Sequence, residues 1–190
     1  IVERALRDVL SEIDPDGAIF GEEEGWSEHH PCDAAWVIDP IDGTRMFIED
    51  QPGASISVGF WSSDGAIAGI VHDLTRGVTY ASDAASGTWL CPSPVSEPGR
   101  EVHGIWDLKR GAQHDVEKWI LSCLDVGHEP DGCVLEMASV AHGAISGYVF
   151  AAAGWAPFPW DLAAGAALLR TSGGALLWTD APEGVITLQN

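Results

Sequence analysis

The chain opens with Ile1, Val2, Ala5, Leu6, Val9, Leu10 and Ile13 at helical spacing, and Asp14-Pro15-Asp16-Gly17 then supplies a stop, so the pattern predicts a helix over 1–13. Two short apolar runs follow, Ala18-Ile19-Phe20 and Ala35-Trp36-Val37-Ile38, each of a length that suits a buried strand. Both run into acid: Gly21-Glu22-Glu23-Glu24 after the first, Asp39-Pro40-Ile41-Asp42-Gly43-Thr44 after the second. Strand-like runs at 56–61, 66–71 and 78–81 are separated by turn residues, the pattern of an antiparallel meander, and 87–90 predicts an added edge strand.

Pro92, Pro94 and Pro98 mark a linker, so the one expected subdomain division lies near 92–100. Beyond it the pattern predicts a strand at 102–106, helices at 115–124 and 135–145, and a strand at 148–150. A strongly apolar helix at 160–172, closed by Gly173-Gly174, and a strand at 175–179 complete the series. Helices mixed with antiparallel strands predict an α+β fold in layers, and 190 residues with 46% hydrophobic content suffice for a single domain with one core.

Charge narrows the function. Twenty-nine Asp and Glu against nine Lys and Arg give a net charge of -20, which excludes a general nucleic-acid binder because phosphate backbones repel such a surface. The longest apolar run, 151–156, is far below the roughly 20 residues a membrane-spanning helix needs, so no membrane role is expected. Cys32, Cys91, Cys123 and Cys133 form no C-x-x-C pair, which points away from zinc and redox dithiols and toward a reducing cytoplasm. Acid in such excess is tolerated where cations screen it, in a salty habitat or at a bound divalent metal.

Three acidic segments place carboxylates at strand ends or a helix start: Glu22 in the first, Asp39 and Asp42 in the second, and Asp161 in Pro159-Trp160-Asp161-Leu162-Ala163-Ala164-Gly165. Hard oxygen donors without a His or Cys constellation suit Mg²⁺, and carboxylates holding two or more such ions serve phosphoryl hydrolysis. A helix starting at Gly43-Thr44 would aim backbone N–H groups at a phosphate, with the Thr44 hydroxyl placed to orient a water. The plainer alternatives are an Asx-turn and a helix cap for Asp39 and Asp42, and an N-cap for Asp161. Glu24 and Glu28 read as surface acids, His29-His30-Pro31-Cys32 as a polar loop, and His72 and His142 as structural. Trp36, Trp61, Trp89, Trp119 and Trp178 read as packing residues, and Cys133 has no neighbouring base that would make it a nucleophile.

Taken together, Gly21-Glu22-Glu23, Trp36-Val37-Ile38-Asp39-Pro40-Ile41-Asp42-Gly43-Thr44 with Phe47, and Trp160-Asp161-Leu162-Ala163-Ala164-Gly165 ahead of Gly173-Gly174 resemble the signature segments of the inositol monophosphatase family. The resemblance implies a layered α/β/α/β/α sandwich with mixed, mostly antiparallel sheets. It implies a lithium-sensitive, Mg²⁺-dependent phosphomonoesterase for a small phosphorylated metabolite, with water as nucleophile and a homodimer as the assembly. Histidinol phosphate and 3′-phosphoadenosine-5′-phosphate are the alternative substrates, and a catalytically silent metal-binding homologue is the alternative of another class.

Carried over position by position, the resemblance makes Glu22, Asp39 and the Ile41 carbonyl ligands of one Mg²⁺ and Asp39, Asp42 and Asp161 ligands of a second, with Glu22 available to a third. It makes Gly43 and Thr44 phosphate-binding amides, and places Glu23 behind the ligands. It also implies that both ends are shortened: the family has an aspartate shortly before the first helix and a further helix and strand after the last. An acid that meets the sugar in the family is missing from Phe150-Ala151-Ala152-Ala153-Gly154-Trp155, where Trp155, Phe158 and Trp160 offer a more apolar wall.

Overall fold

A computed structural model describes residues 1–27, 33–90, 101–107, 125–126, 132–152, 157–178 and 185–188. Helix α1 (Val2–Ile13) lays Glu3, Leu6, Arg7 and Leu10, an i, i+3, i+4, i+7 stripe, against the sheet, with Leu6 and Leu10 packed beside Ile19, Ile38 and Val58. Of the other apolar residues of the periodic pattern, Ile1, Ala5, Val9 and Ile13 stand exposed and Val2 is half-buried. The helix ends at Asp14, whose carboxylate accepts the indole N–H of Trp36 at 3.1 Å.

The first sheet is built from β1 (Ala18–Gly21), β2 (Gly25–Trp26), β3 (Ala34–Asp42), β4 (Ser55–Ser62), β5 (Gly65–Asp73), β6 (Val78–Asp83) and β7 (Thr88–Leu90). Its order is β2-β1-β3-β4-β5-β6-β7: β1 runs parallel to β3, and β3 to β7 form the expected antiparallel meander with its edge strand. Between β3 and β4 lies the short helix α2 (Thr44–Ile48), started by Gly43 at φ 75°, a left-handed conformation that glycine adopts without penalty. The second sheet has the order β11-β12-β10-β8-β9, from β8 (Glu101–Asp107), β9 (Asp125–Val126), β10 (Gly147–Ala152), β11 (Ala175–Trp178) and β12 (Val185–Leu188).

Helices α3 (Cys133–His142) and α4 (Pro159–Ser172) fill the space between the sheets: α4 packs on β3 to β6, α3 on α4 and on β10. The main core lies in this layer, around Val134, Leu135, Met137, Val140, Leu168 and Leu169. Close approach depends on missing side chains. A Cβ on Gly59 would stand 2.7 Å from Ala163, one on Gly69 would collide with the Ala164 carbonyl, and one on Gly165 would meet Met137. Among the described residues the layers are therefore α1, sheet, α3 and α4, sheet. This is the expected α+β layered fold with mixed, mostly antiparallel sheets.

The helix expected at 115–124 and the division expected near 92–100 lie outside the described residues. α3 begins two residues before the expected 135 and ends three before 145, because Gly143, at φ 84°, takes a left-handed C-cap that closes it early. Strands β2 and β9 are two residues each, too short to show a period, and β12 was also missed by pattern. Gly69→Ala is expected to destabilise the protein by about 1–3 kcal/mol through this helix–sheet contact; a lowered urea midpoint at unchanged m-value would show it, and an unchanged midpoint would refute it.

Candidate active site

Two carboxylates three residues apart on an ideal strand point to opposite faces. β3 avoids this: Asp39 pairs with Ser57 and Asp42 with Ser55, three steps on one strand against two on the other, a one-residue bulge across Pro40-Ile41. Pro40 has no N–H to lose from the ladder, which favours the irregularity there. The bulge brings both aspartates into one buried cluster. Asp39 Oδ1 accepts the Ile41 N–H at 2.9 Å, so the Asx-turn foreseen as the plainer alternative is present within the cluster rather than in place of it. Thr44, exposed at the start of α2, donates its hydroxyl to the Ile41 carbonyl at 3.0 Å.

Asp161 arrives from a segment more than a hundred residues away. It is not the N-cap of α4, as the plainer alternative had it. Phe158 takes that place and Pro159 the first helical position, so Asp161 falls one turn in, where its carboxylate accepts the Phe158 N–H at 2.6 Å. Asp42 Oδ2 in turn accepts the Val134 N–H at 2.9 Å and lies 3.5 Å from the Ser55 hydroxyl. Val134 is in the first turn of α3, and the Gly132 that precedes the helix could carry no side chain, since a Cβ would collide with the Asp42 carboxylate. Ligand oxygens of Asp39, Asp42 and Asp161 all lie within 4.8 Å of one another, and all three residues are buried.

Glu22 is exposed on the β1–β2 turn and lies outside that trio, yet its carboxyl is close enough to Asp39 to share a hydrogen bond. The turn is clamped from behind by α1. Glu3, 3% exposed, accepts the N–H groups of Glu23 at 2.7 Å and Glu24 at 3.0 Å and binds the Arg7 guanidinium at 2.8 Å, which itself donates to the Gly25 carbonyl. Sequence reasoning passed over Glu3; an acid on the buried stripe of an amphipathic helix was the available signal. It also passed over Val134. Glu24, read as a simple surface acid, is ion-paired with Arg4 at 2.7 Å and stands 3.8 Å from Arg7.

Burial is the largest influence on each carboxyl of the trio and raises it. Asp39 is pushed up to about 9 by burial and the charges of Asp42, Glu22 and Asp161; Asp42 to about 7 by burial against the opposing Val134 N–H bond; Asp161 to about 6 by burial against the Phe158 N–H bond. Glu22 is raised by partial burial too, opposed by its hydrogen bond with Asp39. Buried acids that repel one another at this spacing, all with hard oxygen donors, fit a divalent cation of the Mg²⁺ or Ca²⁺ kind.

Other expectations fare unevenly. His72 Nδ1 is hydrogen-bonded with the Thr79 hydroxyl at 2.8 Å, and His142 meets Tyr80 edge-on, both structural uses. Cys133 is buried with its thiol raised well above the ordinary value, chiefly by burial, as befits a non-nucleophile. Trp36 and Trp89 pack against the cores, but Trp61, at the end of β4 beyond a register shift against β5, is 38% exposed. The tract 28–32, Trp119, Trp155 and the side chain of Trp178 lie outside what is described. No helix among the described residues is long and apolar enough to cross a membrane.

The layered α+β fold gathers three buried carboxylates at a strand bulge and a helix start, an arrangement suited to holding a divalent cation. The chain belongs to the inositol monophosphatase family, whose profile matches residues 1–189. It is 28% identical over 182 residues to the inositol-1-monophosphatase of Bacillus subtilis, covering 90% of this chain and 67% of that one. It shows the same identity over the same length to a histidinol-phosphatase of Chlorobaculum parvum. Among solved structures, SaIMPase-II with inositol monophosphate bound superposes with a TM-score of 0.78 at 25% identity, covering 99% of this chain and 77% of that one.

The raised carboxyls have a thermodynamic consequence. Their folded-state values lie above their unfolded ones, so their contribution to stability is complete below about pH 3.8 and is lost as pH rises through about 6 to 9. Asp39→Asn keeps the acceptor for the Ile41 N–H and removes a carboxyl that burial and its acidic neighbours force to take up a proton on folding at this pH. At pH 8 without metal, the variant is expected to melt about 2–8 °C above the wild type. Added Mg²⁺ is expected to reverse the order by stabilising the wild type more than the variant. Calorimetry with EDTA and with Mg²⁺ reads both, and an unchanged order in the two conditions would refute the account.

Proposed function

We propose that the chain is a Mg²⁺-dependent phosphomonoesterase for a small phosphorylated metabolite, with water as the nucleophile. The observation that supports this most is the gathering of buried Asp39, Asp42 and Asp161 from two distant segments within 4.8 Å. In this reading Glu22, Asp39 and the Ile41 carbonyl hold one cation, Asp39, Asp42 and Asp161 a second, and Glu22 serves a third. Bound Mg²⁺ supplies activation of water and neutralisation of charge on the phosphate and the leaving oxygen.

The protein's own groups position the reactants. Gly43 and Thr44 present backbone N–H groups to the phosphate at the start of α2. The Thr44 hydroxyl, whose proton is committed to the Ile41 carbonyl, keeps its lone pairs to accept a hydrogen bond from the attacking water and so fixes its direction. The Val134 and Phe158 N–H groups hold the Asp42 and Asp161 carboxylates in place without adding charge. Neither needs to take a proton from substrate.

Relatives named for inositol 1-phosphate and for histidinol phosphate match this chain about equally, which supports a common phosphate end and leaves the alcohol to be decided. The family resemblance and the cysteine pattern further support a single-domain, cytoplasmic, lithium-sensitive enzyme that assembles as a homodimer. Phosphate release from inositol 1-phosphate, histidinol phosphate and 3′-phosphoadenosine-5′-phosphate, with Mg²⁺ and with EDTA, tests the activity. Asp39→Asn is expected to lower kcat/KM by more than the roughly 10–100-fold typical of losing an outer partner of a metal ligand. Release that is indifferent to EDTA and to this substitution would overturn the mechanism.

A further inference from the structure

Strand β4 buries two serines beside the acids of β3. Ser55 is fully buried and Ser57 is 1% exposed. They lie two residues apart on a strand, so their side chains leave the same face of the sheet. Two contacts show which face it is. The Ser55 hydroxyl lies 3.5 Å from the Asp42 carboxylate, and a Cβ on Gly59, the next position of the series, would stand 2.7 Å from Ala163 of α4. Ser57 therefore projects from β4 into the layer where the carboxylates gather.

Register sets its neighbours. Ser57 pairs with Asp39 on β3 and with Val71 on β5, and directly opposed residues hold their Cβ atoms about 4.5–5.5 Å apart. One neighbour is an acid of the cluster and the other belongs to the main core. Yet the Ser57 hydroxyl is sealed from solvent and has no hydrogen-bond partner among the described residues. A buried hydroxyl without a partner costs stability, and an apolar side chain at this position would avoid that cost. The next rung of the ladder repeats the arrangement, since Ser55 opposes Asp42 as Ser57 opposes Asp39. Ser55 reaches its aspartate and Ser57 does not. Asp39 has room for a further donor: Oδ1 accepts the Ile41 N–H and the carboxyl shares a hydrogen bond with Glu22, which leaves lone pairs over.

We propose that Ser57 is a positioning residue for Asp39: its hydroxyl donates to the Asp39 carboxylate when a divalent cation is held there, and so fixes the orientation of that carboxylate toward the ion. This rests on the cation-binding part of the reading above and adds to it a residue that touches neither substrate nor reacting atoms. Because the hydroxyl has no hydrogen bond to give up, the one it makes on binding is gained in full and appears as affinity for the ion. Partners that orient ligating side chains act in this way. As a neutral donor, Ser57 holds its acid without cancelling the charge, as the Ile41, Val134 and Phe158 amides do for the trio.

The test titrates Mg²⁺ by calorimetry into the full chain and melts each protein in EDTA. Ser57→Ala is expected to bind Mg²⁺ about 10–100-fold more weakly than the wild type, the range for losing an outer partner of a metal ligand, while melting in EDTA at the same temperature or higher. Ser82→Ala is the matched control. Its hydroxyl is also buried and without a partner, but it lies on β6 in the row of Gly59 and Gly69 rather than opposite an aspartate, so its removal should leave the affinity unchanged. Three results would each overturn the proposal: an affinity of Ser57→Ala within about twofold of the wild type, an equal loss in Ser82→Ala, or a melting temperature of Ser57→Ala lowered in EDTA, the mark of a hydroxyl that serves the fold alone. A wild type that binds no Mg²⁺ would sink the cation-binding reading itself, and this proposal with it.

Discussion

Mutual repulsion among three carboxylates held out of water is the constraint to which the rest of the structure answers. Asp39, Asp42 and Asp161 gain little by being together and lose hydration by being buried, so the polypeptide must impose their proximity. It does so with neutral donors. The amides of Ile41, Val134 and Phe158 each bind one of the three, and an amide dipole stabilises an anion without satisfying its charge. An Arg or Lys in the same place would make an internal ion pair and remove the affinity for a cation. A trio arranged in this way remains short of positive charge, which is the electrostatic condition for binding a divalent ion.

Proximity also depends on parts of the fold remote from chemistry. Asp161 reaches β3 because α4 lies unusually close to the sheet, and it lies close because Gly59 and Gly69 face Ala163 and Ala164. The bulge across Pro40-Ile41 turns Asp42 to the side of Asp39, and α3 begins where its first turn meets Asp42. Behind Glu22, the buried Glu3 does for a turn what these contacts do for the trio. Its carboxylate takes two amide protons and the Arg7 guanidinium, so the turn is fixed from α1 while Glu22 itself stays exposed.

Much of this was legible in the sequence because the relevant signals are local. The meander follows from alternating apolar runs cut by Ser-Asp-Gly and Thr-Arg-Gly turns, and the end of α4 follows from Gly173-Gly174. The acids that converge were visible because each ends a strand or begins a helix. What could not be read is what depends on contacts between distant segments. Val134 looks like any apolar residue near a helix start, and only the folded chain brings its amide to Asp42, 92 positions earlier. Glu3 was hidden by the assumption that an amphipathic stripe buries only apolar side chains. Trp61 was taken for core from its type, but its place at the rim of the sheet decides its exposure. The acidic excess is also partly local: Asp73 accepts the amides of Thr75 and Arg76 at one turn, and Asp83 those of Ala85 and Ser86 at another. These are turn-forming acids whose charge is incidental to the site.

Under the proposed phosphomonoesterase reading the site divides into two ends with different physics. At the phosphate end the groups are charged, buried and tightly constrained, because any shift of one carboxylate alters the field at the other two. At the alcohol end side chains can change without disturbing the trio. Relatives named for inositol phosphate and for histidinol phosphate resemble this chain to the same degree, which is the pattern such a division produces. Overall identity is an average over the whole chain, whereas selectivity among phosphomonoesters rests on a few side chains around the departing alcohol. The composition of that surface is therefore a better guide to the substrate than the degree of resemblance to any one relative.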